Sequence, residues 1–99
     1  MAKNMKKEKF ESLAQIRKKL DELDQEIIEK LAQRQFLVDQ TSRFKHAVDD
    51  LQTPERIEQV IHHVKKLAQN QGIDADLTEK IYRDLLQHLI RRELKQIRP

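Results

Sequence analysis

Arg34 and Lys45 stand eleven positions apart in the stretch RQFLVDQTSRFK, residues 34–45. Eleven residues make three turns of an α-helix, so both long cations project from one face. Leu31, Val38 and Thr41 share that face, whereas Arg43 falls on another side and can reach water. A buried charge without a partner is costly, so two cations on an apolar face need anions or a wet cavity. Two plainer readings stay open: both stems snorkel outward, or acidic side chains of other helices neutralise them.

Three further residues extend the pattern. Arg56, in TPER at 53–56, falls at the third helical position, where the helix dipole disfavours a cation and a capping box would place Glu or Gln. Glu93 lies in line with Tyr82, Leu86 and Leu89, a carboxyl closing an apolar stripe; pairing with a buried cation would also account for it. Arg17 flanks the seam between Leu13 and Leu20, 17 residues before Arg34. That separation is about 25 Å along one helix, too far for a shared small-molecule site within one chain. If two long helices pair antiparallel in a dimer, Arg17 of one comes near Arg34 of the other. A pocket holding Arg17, Arg34, Lys45 and Arg56 suits a small molecule with two carboxylates, which arginine forks grip two oxygens at a time. Phosphate is less suited, for want of a glycine-rich loop and a metal ligand set.

The elements that must position these groups are helices. One Gly, two Pro and four aromatics, against an abundance of Leu, Lys, Glu, Gln and Arg, predict an all-α chain. Three breaks, VDDLQTP at 48–54, NQGIDAD at 70–76 and Pro99, leave three helical segments. The first is expected from about Phe10 to His46, with Leu13, Ile16, Leu20, Leu23 and Ile27 spaced like a coiled-coil seam; Leu31, Arg34, Val38, Thr41 and Lys45 continue it after a shift. Such a helix is about 55 Å long. The second starts with Thr53 as N-cap and Pro54 at the first position, turns Ile57, Val60, Ile61, Val64, Leu67 and Ala68 inward, and stops at Gly72. The third runs from Asp74 or Asp76 to Ile97, with Leu77, Ile81, Leu85, Leu86, Leu89 and Ile90 inward. Two helices of half the length leave the long seam partly open, which predicts a homodimer of associated long helices. A monomeric bundle is the alternative.

Composition narrows the rest. Twenty basic and 17 acidic residues are interspersed, so the net +3 is weak support for nucleic acid, and stacking aromatics and helix-turn-helix spacing are lacking. The lysines of residues 1–8 read as a basic, disordered arm ahead of one domain at 9–99. Cysteine is absent, which excludes disulfides and a thiolate nucleophile. His62 and His63 point to different sides of a helix, and His46 and His88 each have only an Asp four residues away, so no metal or other cofactor is expected. No apolar run approaches a membrane span, and a cytoplasmic protein is expected.

Five pieces in order, IRKKLDELDQEIIEKLAQR at 16–34, SRFK at 42–45, TPER at 53–56, GIDA at 72–75 and a last helix ending IRREL, resemble the all-helical class of chorismate mutases and their relatives, the isochorismate pyruvate lyases. The resemblance spans nearly the whole chain and implies an intertwined homodimer of three-helix chains with two active sites. By motif position, Arg17 looks like the arginine donated from the partner chain to a substrate carboxylate, while Arg34 and Arg56 look like those that hold the carboxylates beside Lys45. Lys45 looks like the lysine that donates to the breaking ether oxygen, and Glu93 falls where the family has Gln or Glu at that oxygen. Thr41, Ile57 and Leu89 complete the expected lining. In this resemblance chorismate rearranges to prephenate by a concerted pericyclic shift, with neither nucleophile nor metal. A fixed ammonium stabilises the developing charge on the ether oxygen more than it stabilises the substrate. Glu93 would help only when protonated; burial favours the neutral acid, whereas Arg91, Arg92 and Lys45 favour the anion.

The chain departs from the common mutase pattern at two positions. Ile57 follows Arg56 where mutases often carry a Glu for the ring hydroxyl, and Thr53 replaces a frequent acidic residue. Ile57 and SRFK are closer to the pyruvate-lyase branch, which converts isochorismate to salicylate and pyruvate. Mutase activity is the expectation, with the lyase as the alternative. The loop at 48–53 is a candidate lid.

Overall fold

The computed structural model describes residues 9–44 and 53–97. Among them are three α-helices, α1 (Leu13–Thr41), α2 (Pro54–Gln71) and α3 (Ala75–Ile97), with a 3₁₀ turn, Ser42–Phe44, directly after α1. The all-helical expectation holds for these residues, which contain no strand. The basic arm at 1–8, His46 and the loop residues through Gln52 lie outside them. The chain divides into two compact units, Met1–Leu37 and Val38–Pro99.

Both ends of α1 correct the expected span from Phe10 to His46. Ser12 caps the helix: its Oγ accepts the N–H of Gln15 at 3.1 Å, and Gln15 Oε1 accepts the N–H of Glu11 at 2.9 Å. This near-reciprocal cap starts the helix at Leu13, the first residue of the expected seam and three residues after the expected start at Phe10. At the other end, the Thr41 hydroxyl donates to the Val38 carbonyl at 2.6 Å and the chain tightens into the 3₁₀ turn. Threonine back-bonding of this kind competes with the helical ladder.

The second unit builds its core between α2 and α3. Thr53 Oγ1 accepts the Arg56 N–H at 3.2 Å, and Pro54 occupies the first turn, where its missing N–H is not needed. Gly72 ends α2 in the left-handed region (φ 75°, ψ 27°), with its own N–H on Gln69 O and that of Ile73 on Ala68 O, the two bonds of a Schellman motif. Asp74 then caps α3, its Oδ1 accepting the N–H groups of Asp76 at 2.8 Å and Leu77 at 3.3 Å. With both ends of this turn fixed, α2 lays Val60, Ile61, Val64 and Ala68 into the interior, and α3 adds Leu86 and Leu89. Ile57 and Tyr82 pack at the margin of this cluster. Each fully buried aliphatic side chain of this size is worth about 1.5–3 kcal/mol.

Three residues expected inward are exposed instead: Leu67, Leu77 and Ile81. Leu77 and Ile81 precede Leu86 by nine and five residues. They therefore sit about 180° and 140° around the helix from it. Leu67 lies at the edge of the α2 stripe.

Outside the apolar contact, charges brace α2 against α3. Arg83 donates to both oxygens of Glu58 (2.9 and 3.0 Å) and to Glu79 Oε2 (2.8 Å), and Lys65 reaches Glu79 Oε1 at 3.0 Å. The hydrogen bond from Arg83 holds the Glu58 carboxyl below its ordinary range, and bonds from Arg83 and then Lys65 do the same for Glu79. The bond to Glu79 raises Lys65 in turn.

The first unit is different in kind. No residue of α1 is buried, and its seam residues Leu13, Leu20 and Ile27 are each more than half exposed.

Candidate active site

Each expected site residue has a definite place, except Lys45, which lies outside the described residues. Arg17 and Arg34 belong to the first unit, both on α1; Arg17 is exposed and Arg34 half-buried. Their separation in one chain follows from the helix rise and leaves Arg17 unable to serve the same small molecule as Arg34.

The second unit carries the others. Thr41 ends α1, exposed, with its hydroxyl proton already committed to the Val38 carbonyl, so it has only acceptor capacity left for a ligand. Arg56 holds the third position of α2, exposed, its backbone tied to Thr53. Its guanidinium therefore extends from a rigid, capped first turn rather than from a loop. Ile57, next to it, is half-buried and packs on the cluster of Val60, Ile61, Val64 and Leu86.

On α3 the stripe read from the sequence is real. Leu86, Leu89 and Glu93 are 1%, 2% and 3% exposed, so the carboxyl is as deeply enclosed as the leucines one and two turns before it. Glu93 is the one charged or polar residue buried to this degree among those described. Ile57, Leu89 and Glu93 are thus organised by a single core, the first through its packing near Leu86 and the others as the continuation of that helix face.

Sequence reasoning overlooked Asp39. Arg92 Nη2 donates to Asp39 Oδ2 at 2.9 Å, joining the last turn of α1 to α3 across 53 residues of chain. The available signal was Asp39, the one acidic residue between Glu29 and Asp49, together with Arg92 beside Glu93. The sequence alone presents Arg92 only as a charge acting on its neighbour.

Taken by itself, the second unit sets one cation, Arg56, on the capped first turn of α2 and encloses one carboxyl, Glu93, on α3. Among the described residues this is an all-α protein with a carboxyl sheltered from water in its second unit.

The chorismate mutase type II family matches residues 16–94, and the chain belongs to that family and is an enzyme of it. A chorismate mutase of Methanocaldococcus jannaschii is 32% identical over 80 residues, which cover 80% of this chain and 81% of that protein. An isochorismate pyruvate lyase of Pseudomonas aeruginosa is 29% identical over 83 residues, 84% of this chain and 82% of that protein. The resemblance read from the five sequence pieces is therefore correct at the level of the family. No helix among the described residues is long and apolar enough to cross a membrane, and they contain no cluster of three or more metal-ligating side chains.

Proposed function

We propose that this chain is a chorismate mutase that converts chorismate to prephenate in a cationic pocket shared between two subunits. The observation that carries the reading is the buried Glu93 carboxyl in a chain that matches the family over residues 16–94, and the resemblance assigns that carboxyl to the ether oxygen. Of the two relatives, the mutase is the more similar, at 32% against 29% identity.

In this reading Arg34 and Arg56 hold the two carboxylates of chorismate, with Arg17 supplied by the partner chain. The grip keeps the side chain folded over the ring, so the bond-forming carbons start close together. Thr41, Ile57 and Leu89 line the pocket. As the ether C–O bond stretches, negative charge grows on its oxygen. Lys45 donates to that oxygen, and protonated Glu93 donates a second hydrogen bond. Both bonds strengthen in the transition state, so they lower the barrier rather than merely tightening substrate binding. Glu93→Gln, which keeps a hydrogen-bond donor at this position, should retain most of kcat, whereas Glu93→Ala, which removes it, should lower kcat about a hundredfold. A folded Glu93→Ala variant with the wild-type kcat would remove this role.

The homodimer is supported by the exposed α1 seam and by the position of Arg17. The lyase is retained as a second reading because Ile57 offers the ring no polar contact and is engaged with the core. One assay separates the readings. Purified protein is given chorismate and, separately, isochorismate, with loss of ultraviolet absorbance followed for the first and salicylate fluorescence for the second. Chorismate turnover that Lys45→Ala abolishes in an intact dimer is expected. Turnover of isochorismate alone would move the assignment to the lyase, and turnover of neither would return the protein to a helical scaffold.

A further inference from the structure

The Asp39–Arg92 ion pair is about as shielded as the Lys65–Glu79 pair of the α2–α3 brace, with side chains 31% and 36% exposed, but it joins a different pair of helices. It links the last turn of α1 to α3, and α3 packs in addition against the 3₁₀ turn that follows α1. Phe44 ends that turn and immediately precedes Lys45 in the sequence. On the other side, Arg92 immediately precedes Glu93.

An ion pair in such a half-shielded setting contributes little net stability, because desolvation offsets most of the attraction. Arg92 also leaves its buried Nε without a hydrogen-bond partner among the described residues, a further cost. What a short, directional contact between two helices does well is fix rotation and register. Successive residues on a helix differ by about 100° in direction. Pinning the Arg92 side chain to the end of α1 therefore sets how far α3 can roll, and with it the direction in which Glu93 presents its carboxyl.

We propose that Asp39 and Arg92 are positioning residues, a clasp between the end of α1 and α3 that aims the Glu93 carboxyl at the reacting oxygen. The clasp rests on the mutase reading, since it assigns a second layer to the same site. Neither member touches the substrate. Their loss should lower kcat, which depends on transition-state contacts, while KM, set by the arginine grip, stays close to its original value.

Two double variants test this by separating stability from aim. In Asp39→Leu/Arg92→Met the pair becomes apolar, an exchange that often preserves or raises stability. In Asp39→Arg/Arg92→Asp the charges are exchanged and the contact can re-form. The apolar variant should melt within a few degrees of wild type yet turn over chorismate about tenfold more slowly, with KM changed less than about twofold, a loss of the size that small misplacements cause. The exchanged variant should recover kcat to within about threefold of wild type. An apolar variant with full kcat would overturn the clasp, as would an exchanged variant that is folded but as slow as the apolar one. In both cases wild-type turnover would leave the mutase reading standing. A wild type that turns over neither chorismate nor isochorismate would overturn the reading and the clasp together.

Discussion

The two units of this chain solve the burial problem in opposite ways. Between α2 and α3, caps, a left-handed glycine and six buried apolar side chains make a core within one unit. Residues 13–37 of α1 form a helix whose apolar seam is exposed along its length. A seam of that spacing left open is a surface awaiting another helix, and isolated helices draw most of their stability from such packing. The difference also separates the candidate residues: the enclosed Glu93 and the exposed Arg56 belong to the second unit, whereas Arg17 and Arg34 belong to the first, about 25 Å apart along one helix.

The largest expected effect tests that division directly. If Arg17 acts across the interface, Arg17→Ala and Lys45→Ala should each cost about a hundredfold or more in kcat/KM, as losing one partner of a desolvated charge contact does. Mixing the two inactive chains under conditions of subunit exchange should restore activity. In a twofold-symmetric dimer, half of the molecules would be mixed, each with one intact site, giving about a quarter of the wild-type rate. If no activity returns although mixed dimers are demonstrated, Arg17 and Lys45 do not meet from different chains, and the division of labour between the units is wrong.

A smaller effect should distinguish the two units in stability. Leu86→Ala removes a side chain from the closed core and should cost about 2–5 kcal/mol. For a domain of this size that lowers Tm by about 10 °C or more at every protein concentration. Leu20→Ala, on the open seam, should act through association instead. The wild-type Tm is expected to rise with protein concentration, and this variant to weaken that dependence by mass action. A wild-type protein that is monomeric by light scattering, with Leu20→Ala melting as it does, would mean that the seam has no second copy.

How far each unit was readable follows the same contrast. Thr53, Pro54 and Gly72 carry local backbone instructions, and all three act where the sequence placed them. Leu86, Leu89 and Glu93 were readable as one stripe because they recur at helical spacing on one face of α3. Leu77 and Ile81 misled because they are apolar on a different side of α3, an orientation that periodicity resolves only when the packing partner is known. The start of α1 was missed for a simpler reason: the seam begins at Leu13, as the helix does, but a start at Phe10 overlooks the cap formed by Ser12 and Gln15. Among candidate site residues, Arg56 and Glu93 could be placed by local rules. Asp39 could not, because its partner is 53 residues away and no local pattern joins them.

The smallest effect concerns the charges that brace the closed unit. Glu58 and Glu79 have carboxyls held below the ordinary value of 4.5 by hydrogen bonds from Arg83 and Lys65. A carboxyl with a depressed folded-state value binds protons less readily folded than unfolded. Its stabilising contribution is therefore complete above the unfolded value and lost as pH falls through the folded one. Lys65 has the opposite sign: its raised value adds stability that is complete below the ordinary lysine value of 10.5 and disappears as pH climbs through the folded one. Between those limits the brace should be insensitive to pH. All four side chains meet solvent, so screening keeps the contribution small and salt should reduce it further. The melting temperature should accordingly decline on acidification below about pH 4.5, and Glu79→Gln, which removes the carboxyl shared by Arg83 and Lys65, should make that decline shallower. An acid slope identical in the variant would assign the loss to other carboxylates, and α2 and α3 would then be held by their apolar contact alone.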